Sequence, residues 1–148
     1  MAARHGRGTI ERGLLDTLAG YHLRRAQVAV FADFARVMAD IDVTPGQFGV
    51  LVLIAANAGL SQSALGQALG LDRSTVVGVI DRLERRGLVV RARAPGDRRS
   101  YALKLSEKGE ALRREVARRV RIHERRVTRG LSAVECAALI TLLRTIMS

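Results

Sequence analysis

The chain has 148 residues, 48% of them apolar, and its Lys and Arg outnumber Asp and Glu by 25 to 14. That length fits one domain of ordinary size, and the apolar share supplies a core. The net charge of +11 points to a polyanionic partner, nucleic acid first and an anionic membrane surface second.

The surplus is uneven: residues 1–42 carry a net +1, residues 43–105 a net +5 and residues 106–148 a net +5. Apart from Lys104 and Lys108 the cations are arginines. Arginine suits bidentate contact with phosphate and guanine, although a GC-rich coding sequence would favour it too. The single cysteine, Cys136, excludes an internal disulfide and suits a reducing compartment. No signal-type apolar run follows the polar N-terminus, and no stretch reaches the ~18 apolar residues of a membrane span. The expectation is a soluble cytoplasmic protein without a membrane partner.

In chain order, residues 1–9 are small, basic and aperiodic, which predicts a disordered tail. A helical pattern runs from Ile10 to Ile41 with two apolar stripes. Leu14, Leu18, Tyr21, Val28, Ala32 and Ala35 form one; Leu23, Val30, Phe34, Val37 and Ile41 form the other. A helix with two such stripes needs two partners, its own core and a second subunit. Thr44-Pro45-Gly46-Gln47 then reads as a capping box opening a helix to about Ala58. Ser61 caps a short helix ended by Gly70, and Asp72 caps another that runs to about Arg86. Two short amphipathic helices joined by a tight turn describe a helix-turn-helix. Leu88–Arg93 and Ser100–Leu105 read as strands about the turn Ala94-Pro95-Gly96-Asp97, a β-hairpin wing. A long helix from Ser106 to about Arg129 follows, then a last one opened by the capping box Ser132–Glu135.

Residues 61–105 carry the chemistry. A recognition helix offers short polar side chains to base edges while its back holds the core. Val76, Val79, Ile80 and Leu83 form that back, leaving Arg73, Ser74, Thr75, Val77, Gly78 and Arg82 for a DNA groove. Gly78 permits close approach of the helix backbone. Ser61, Gln62 and Ser63 sit at a helix N-terminus, where free N–H groups favour a phosphate. The wing tip, Asp97-Arg98-Arg99, has the basic character that enters a minor groove. The plain alternative is a small solvated helix pair beside a charged turn.

The stretch DRSTVVGVIDRLERRGLVVRARAPGDRRSYALKLSEKGEAL resembles the MarR-type winged helix-turn-helix regulators. Thr44-Pro45-Gly46-Gln47-Phe48 and the two-striped first helix add to the resemblance, which covers about residues 14–147. It implies a mainly α fold with a small β-hairpin wing, set in an intertwined helical homodimer. Residues 10–148 would form a single domain, with 10–42 and 106–148 as dimerisation helices and 43–105 as the DNA-binding lobe. It also implies that Asp81 pairs with Arg99, stabilising the wing together with Asp97 and leaving Arg98 freer for DNA. Finally, it implies a pocket for a small aromatic acid or its acyl-thioester where the dimer helices meet each lobe.

His22, Arg25, Phe34, Met38 and Phe48 are the candidates for that pocket, Arg25 as the carboxylate anchor. An aromatic and methionine set at helical spacing also describes plain core, and Arg25 also fits a solvated or ion-paired cation. The stripe Arg114, Arg118, Arg121, Arg125 fits either a solvated face or a seat for phosphates. His5, His22 and His123 lack metal-ligand spacing, and His123 falls on an apolar stripe, as a core or interface histidine does. No nucleophile–base set, glycine-rich phosphate loop or carboxylate pair stands out. The sequence therefore assigns no catalytic residue, metal, cofactor or enzymatic activity. It leaves two principal readings: a ligand-responsive repressor released from a palindromic operator, and a ligand-independent architectural or nucleoid-type DNA binder.

Overall fold

The computed structural model describes residues 10–94 and 96–148, and of residues 94 and 97–100 the backbone alone. A 3₁₀ turn, Gly13–Thr17, precedes α1 (Ala19–Val37). Then come α2 (Pro45–Ala56), α3 (Gln62–Leu69) and α4 (Arg73–Arg85), the antiparallel pair β1 (Val89–Ala94) and β2 (Asp97–Leu105), α5 (Glu107–Val127) and α6 (Ala133–Met147). The expected 1–9 tail lies outside the described residues.

Side-chain caps set most helix starts. Thr44 and Gln47 close a full capping box on α2, and Ser132 and Glu135 close one on α6. Ser61, Asp72 and Ser106 cap α3, α4 and α5 by accepting from the backbone N–H of Ala64, Thr75 and Gly109. Gly70 ends α3 in the left-handed region, at φ 63°, as a glycine stop does. Gly109 is fixed by space instead: a Cβ there would stand 2.0 Å from the Leu88 carbonyl oxygen, so α5 starts against the root of β1.

Two corrections to the pattern reading follow. The helix predicted over 10–41 is broken at Leu18, whose ψ of 117° is extended. Gly13, at φ 52°, and the Thr17 hydroxyl bonded to the Leu14 carbonyl close a separate turn before α1 begins. The second strand, expected from Ser100, starts at Asp97, and along it Ala102 and Leu103 are both buried while Tyr101 is half exposed. The segment 60–61 lies along the far edge of β2, with the Leu103 N–H bonded to the Leu60 carbonyl at 2.9 Å and Ser61 bridged to Ala102.

The main core lies inside the lobe. Leu51, Leu65, Ile80, Leu83, Leu88 and Leu103 meet there, drawn from α2, α3, α4, the turn before β1, and β2. A second cluster, Phe34, Met38, Val43 and Val116, joins α1 to α5, with Phe48 packed against it. Buried His123 sits edge-on to Phe34, and its Nδ1 bonds the Asp33 carboxylate at 2.9 Å. This places His123 in the core. Of the two α1 stripes, the second faces this cluster, while Leu14, Leu18 and Val28 of the first are exposed.

Candidate nucleic-acid interface

The N-terminus of α4 is organised by one carboxylate. Asp72 accepts from the Thr75 N–H at 2.9 Å, the Ser74 hydroxyl at 2.6 Å and the Thr75 hydroxyl at 2.6 Å. The Ser74 hydroxyl, then Thr75, hold its pKa far below the ordinary carboxylate range. The hydroxyl protons of Ser74 and Thr75 are thus directed inward, to the cap. Toward an outside partner these two residues present oxygen acceptors and Cβ groups.

Down the helix, Val76, Ile80 and Leu83 are buried, Val77, Gly78 and Val79 half-buried, and Arg73 and Arg82 exposed. The expected division into a core face and an outward face is present. A Cβ at Gly78 would meet no protein atom within 4 Å, so nothing inside this chain requires glycine there. Beside this face lies a cleft of about 870 Å³ between α3, the start of α4 and β2. Ser63, Gln67, Arg73, Val77 and Tyr101 are among its walls. Tyr101, which no sequence pattern marked as a site residue, shares the Leu103 face of β2 but stands two residues farther out along the ribbon, where it is half exposed and lines the cleft.

Two of the three α3 candidates have structural bonds. The Ser61 oxygen caps α3, and the Gln62 Oε1 accepts from the Arg91 Nε at 3.1 Å. Ser63 is exposed. The side chains of Asp97, Arg98 and Arg99 lie outside the described residues, so the Asp81–Arg99 pair falls there too. The partner the structure gives Asp81 is Arg91, whose Nη2 donates to its Oδ1 at 2.5 Å, while Nη1 donates to Glu84. Burial pulls the Arg91 pKa down, but the Asp81 hydrogen bond and the Glu84 charge outweigh it and raise it above the ordinary value. One signal for this pair existed in the sequence. Asp81 and Glu84 are three apart, hence on one face of α4, directed at the adjoining strand.

The five pocket candidates do not converge within one subunit. Phe34 and Met38 are buried, Phe48 is half-buried, and the three close on one another. His22 and Arg25 are exposed, near the other end of α1. His22 bonds the Asp16 carbonyl at 2.9 Å, and Arg25 stacks 5.8 Å from the Tyr21 ring. Nine helical residues separate Arg25 from Phe34, about 13 Å of rise and half a turn of direction. Along α5, Arg118 pairs with Glu115, and Arg113, Arg114, Arg118 and Arg121 border a shallow groove of about 520 Å³. Among the described residues no three His, Cys, Asp or Glu are grouped to hold a metal, and no helix is long and apolar enough to cross a membrane.

A family model described as the MarR family matches residues 41–100, from the loop before α2 into β2. A putative transcriptional regulatory protein for the hcr operon of Thauera aromatica is 43% identical over 126 residues, 84% of this chain and 76% of that protein. Among solved structures, the transcriptional repressor CouR bound to a 23-mer DNA duplex is 42% identical. It superposes with a TM-score of 0.90 over 95% of this chain and 100% of that one. CouR bound to p-coumaroyl-CoA is 39% identical, with a TM-score of 0.86 over 94% of this chain and 98% of that one. This chain has the same order of helices and ribbon that the motif residues predicted, at an identity well beyond likeness of fold alone. The chain is a transcriptional regulator of the MarR family.

Proposed function

We propose that the protein is a cytoplasmic, homodimeric repressor that binds an inverted-repeat operator and releases it when a small aromatic acid or its acyl-thioester binds. The carrying observation is the outward face of α4. It combines exposed Arg73 and Arg82 with a glycine that no intramolecular contact requires. A relative of the same fold is a repressor bound to a DNA duplex. Each α4 enters a major groove with Arg73, Val77, Gly78 and Arg82 toward the bases. The wing, with Arg98 and Arg99, follows the flanking minor groove, and Ser63 in the first turn of α3 meets phosphate. Two half-sites lie roughly one helical turn apart.

The dimer reading rests on α6, which buries none of its residues within one subunit although Leu139, Ile140, Leu142 and Ile146 recur along it. The ligand reading rests on the p-coumaroyl-CoA bound to CouR and on the junction of α1, α2 and α5. There Phe34, Met38, Phe48 and Val116 are in contact in this state. A ring entering between them must part α1 from α5, and this resets the spacing of the two lobes. Ligand shifts the balance only by binding the respaced state more tightly, and a coupling of roughly 1–3 kcal/mol loosens the operator several-fold to about a hundred-fold.

Anisotropy titrations of wild-type dimer test both halves, using a duplex selected from a random pool and its scrambled counterpart. Strong preference for the selected duplex is expected. So is a log–log salt slope of about 0.9 per phosphate neutralised, for on the order of 6–10 phosphates. Equal affinity for both duplexes would favour the architectural reading, and a slope near zero would end both. Aromatic acids and their thioesters are then titrated with and without the selected duplex. By reciprocity the duplex must weaken ligand binding by the factor that ligand weakens the duplex. Equal ligand affinities would overturn induction.

A further inference from the structure

We infer that Arg91 is a positioning residue that locks the wing to the recognition helix, so that the wing's share of DNA affinity depends on it. The inference rests on the reading that α4 and the wing bind DNA.

Arg91 stands on β1, paired with Leu103 of β2, and its side chain is 19% exposed. Its three nitrogens go three ways: Nε to Gln62 of α3, Nη2 to Asp81 and Nη1 to Glu84 of α4. Only a guanidinium has donors in that fork; a lysine ammonium in the same place would hold one or two of the three. Main-chain bonds tie β2 to the 60–61 segment at Ala102 and Leu103, the level at which Arg91 stands opposite Leu103. Between the described side chains of the ribbon and the recognition helix, the Arg91 bonds are the hydrogen bonds present. Beyond Arg93 the register slips, and a two-stranded ribbon carries a strong twist of its own and little independent stability. The 60–61 segment holds the β2 edge of such a ribbon, and the Arg91 side chain on β1 joins it to α4.

The same contact settles a charge problem. Asp81 and Glu84 would otherwise place two uncompensated carboxylates at the junction of two elements that approach phosphates. Like charges facing each other across an interface weaken association. Lock and neutralisation predict opposite results when the carboxylates are removed. Charge alone says that Asp81→Ala with Glu84→Ala tightens DNA binding. The lock says that it weakens binding, because Arg91 then has nothing on α4 to hold.

The test measures the affinity of full-length dimer for the selected and scrambled duplexes, with a thermal midpoint for every variant. Arg91→Ala and Arg91→Lys are each expected to weaken the selected duplex about tenfold with the midpoint nearly unchanged, and the Asp81→Ala/Glu84→Ala pair to weaken it several-fold. In an Arg98→Ala/Arg99→Ala background, whose wing contacts are already gone, Arg91→Ala should cost less than about twofold more. A general loss of structure would not give that non-additivity. Arg91→Lys binding like wild type, tighter binding by the carboxylate pair variant, or an equal Arg91→Ala penalty in both backgrounds would each overturn the inference. If Arg91→Ala fails to fold, Arg91→Lys and the carboxylate pair still decide it. A wild-type dimer that binds no duplex would remove the DNA reading itself, an outcome distinct from a wild type that binds and an Arg91 variant that matches it.

Discussion

In the lobe, Leu51, Leu65, Ile80 and Leu83 have no measurable exposure; in α6, none of the fifteen residues is buried. The two regions have similar apolar material and differ in where it finds its partners. The lobe takes faces from α2, α3, α4 and the ribbon and closes a core within one chain. The 3₁₀ turn and α6 leave Leu14, Val134, Leu142, Ile146 and Met147 in the open. Apolar surface on that scale calls for cover, and a second copy supplies the same surface in reverse. One region thus closes its core within the chain, while the other leaves apolar surface that the proposed second copy would cover.

The largest effect that sharpens this contrast is a cavity in the lobe. Leu65 is wholly buried between α3 and its neighbours, so Leu65→Ala should destabilise by about 2–5 kcal/mol. Urea unfolding followed by circular dichroism measures it. A loss below about 1 kcal/mol would mean that the lobe relaxes around the void and that its core is not the closed unit described here.

A smaller effect on the lobe is expected from charges on the open face. Leu142→Glu with Ile146→Glu replaces two exposed apolar side chains of α6. Within one subunit this removes almost no packing, so helix content should persist. Between subunits it places like charges in the interface, so sedimentation should shift from dimer to monomer and DNA affinity should fall with it. A variant that still sediments as a dimer would show that α6 is not the interface and would break the comparison.

Most of the fold was legible because its boundaries are marked by local chemistry. Thr44 with Gln47, Ser61, Asp72, Gly70 and Ser132 with Glu135 each fix a helix end through a contact of three residues or fewer. What was not legible depends on distant partners or on geometry without a marker residue. The break at Leu18 has no proline or asparagine to announce it. Tyr101 shares a face with Leu103, and its exposure follows from its place farther out along the ribbon, beside the cleft of α3 and α4, which no local pattern marks. Arg91 meets Asp81 and Glu84 across two elements, and nothing in the spacing of the strand distinguishes it from Arg93. The candidate pocket failed as a single-subunit site for a similar reason. Helical periodicity placed its five residues on one helix and the start of the next, but it did not weigh the half-turn between Arg25 and Phe34.

The smallest expected effect concerns the DNA-facing edge of the lobe, and it is confined to acid. Asp72 receives the two hydroxyls and one N–H at the start of α4, and its folded-state pKa lies far below that of the unfolded chain. For a group shifted in that direction, the stabilisation is fully present above the unfolded pKa and is lost as pH falls toward the folded one. Asp72→Asn keeps a side chain that can cap a helix but removes the charge. The variant should therefore melt below wild type at neutral pH, and the two melting curves should draw together below about pH 4. Other depressed carboxylates, Asp33, Asp40, Glu110, Glu115 and Glu135, steepen the acid limb of both proteins alike, so the difference between the two isolates Asp72. Melting temperature against pH, for both proteins in one buffer series, is the measurement. A gap that stays constant down the series would mean that the cap acts by shape alone. No gap at any pH would mean that the Ser74 and Thr75 hydroxyls are not held by Asp72 in solution and are available to donate to phosphate, which would return them to the DNA-contacting set with their protons free.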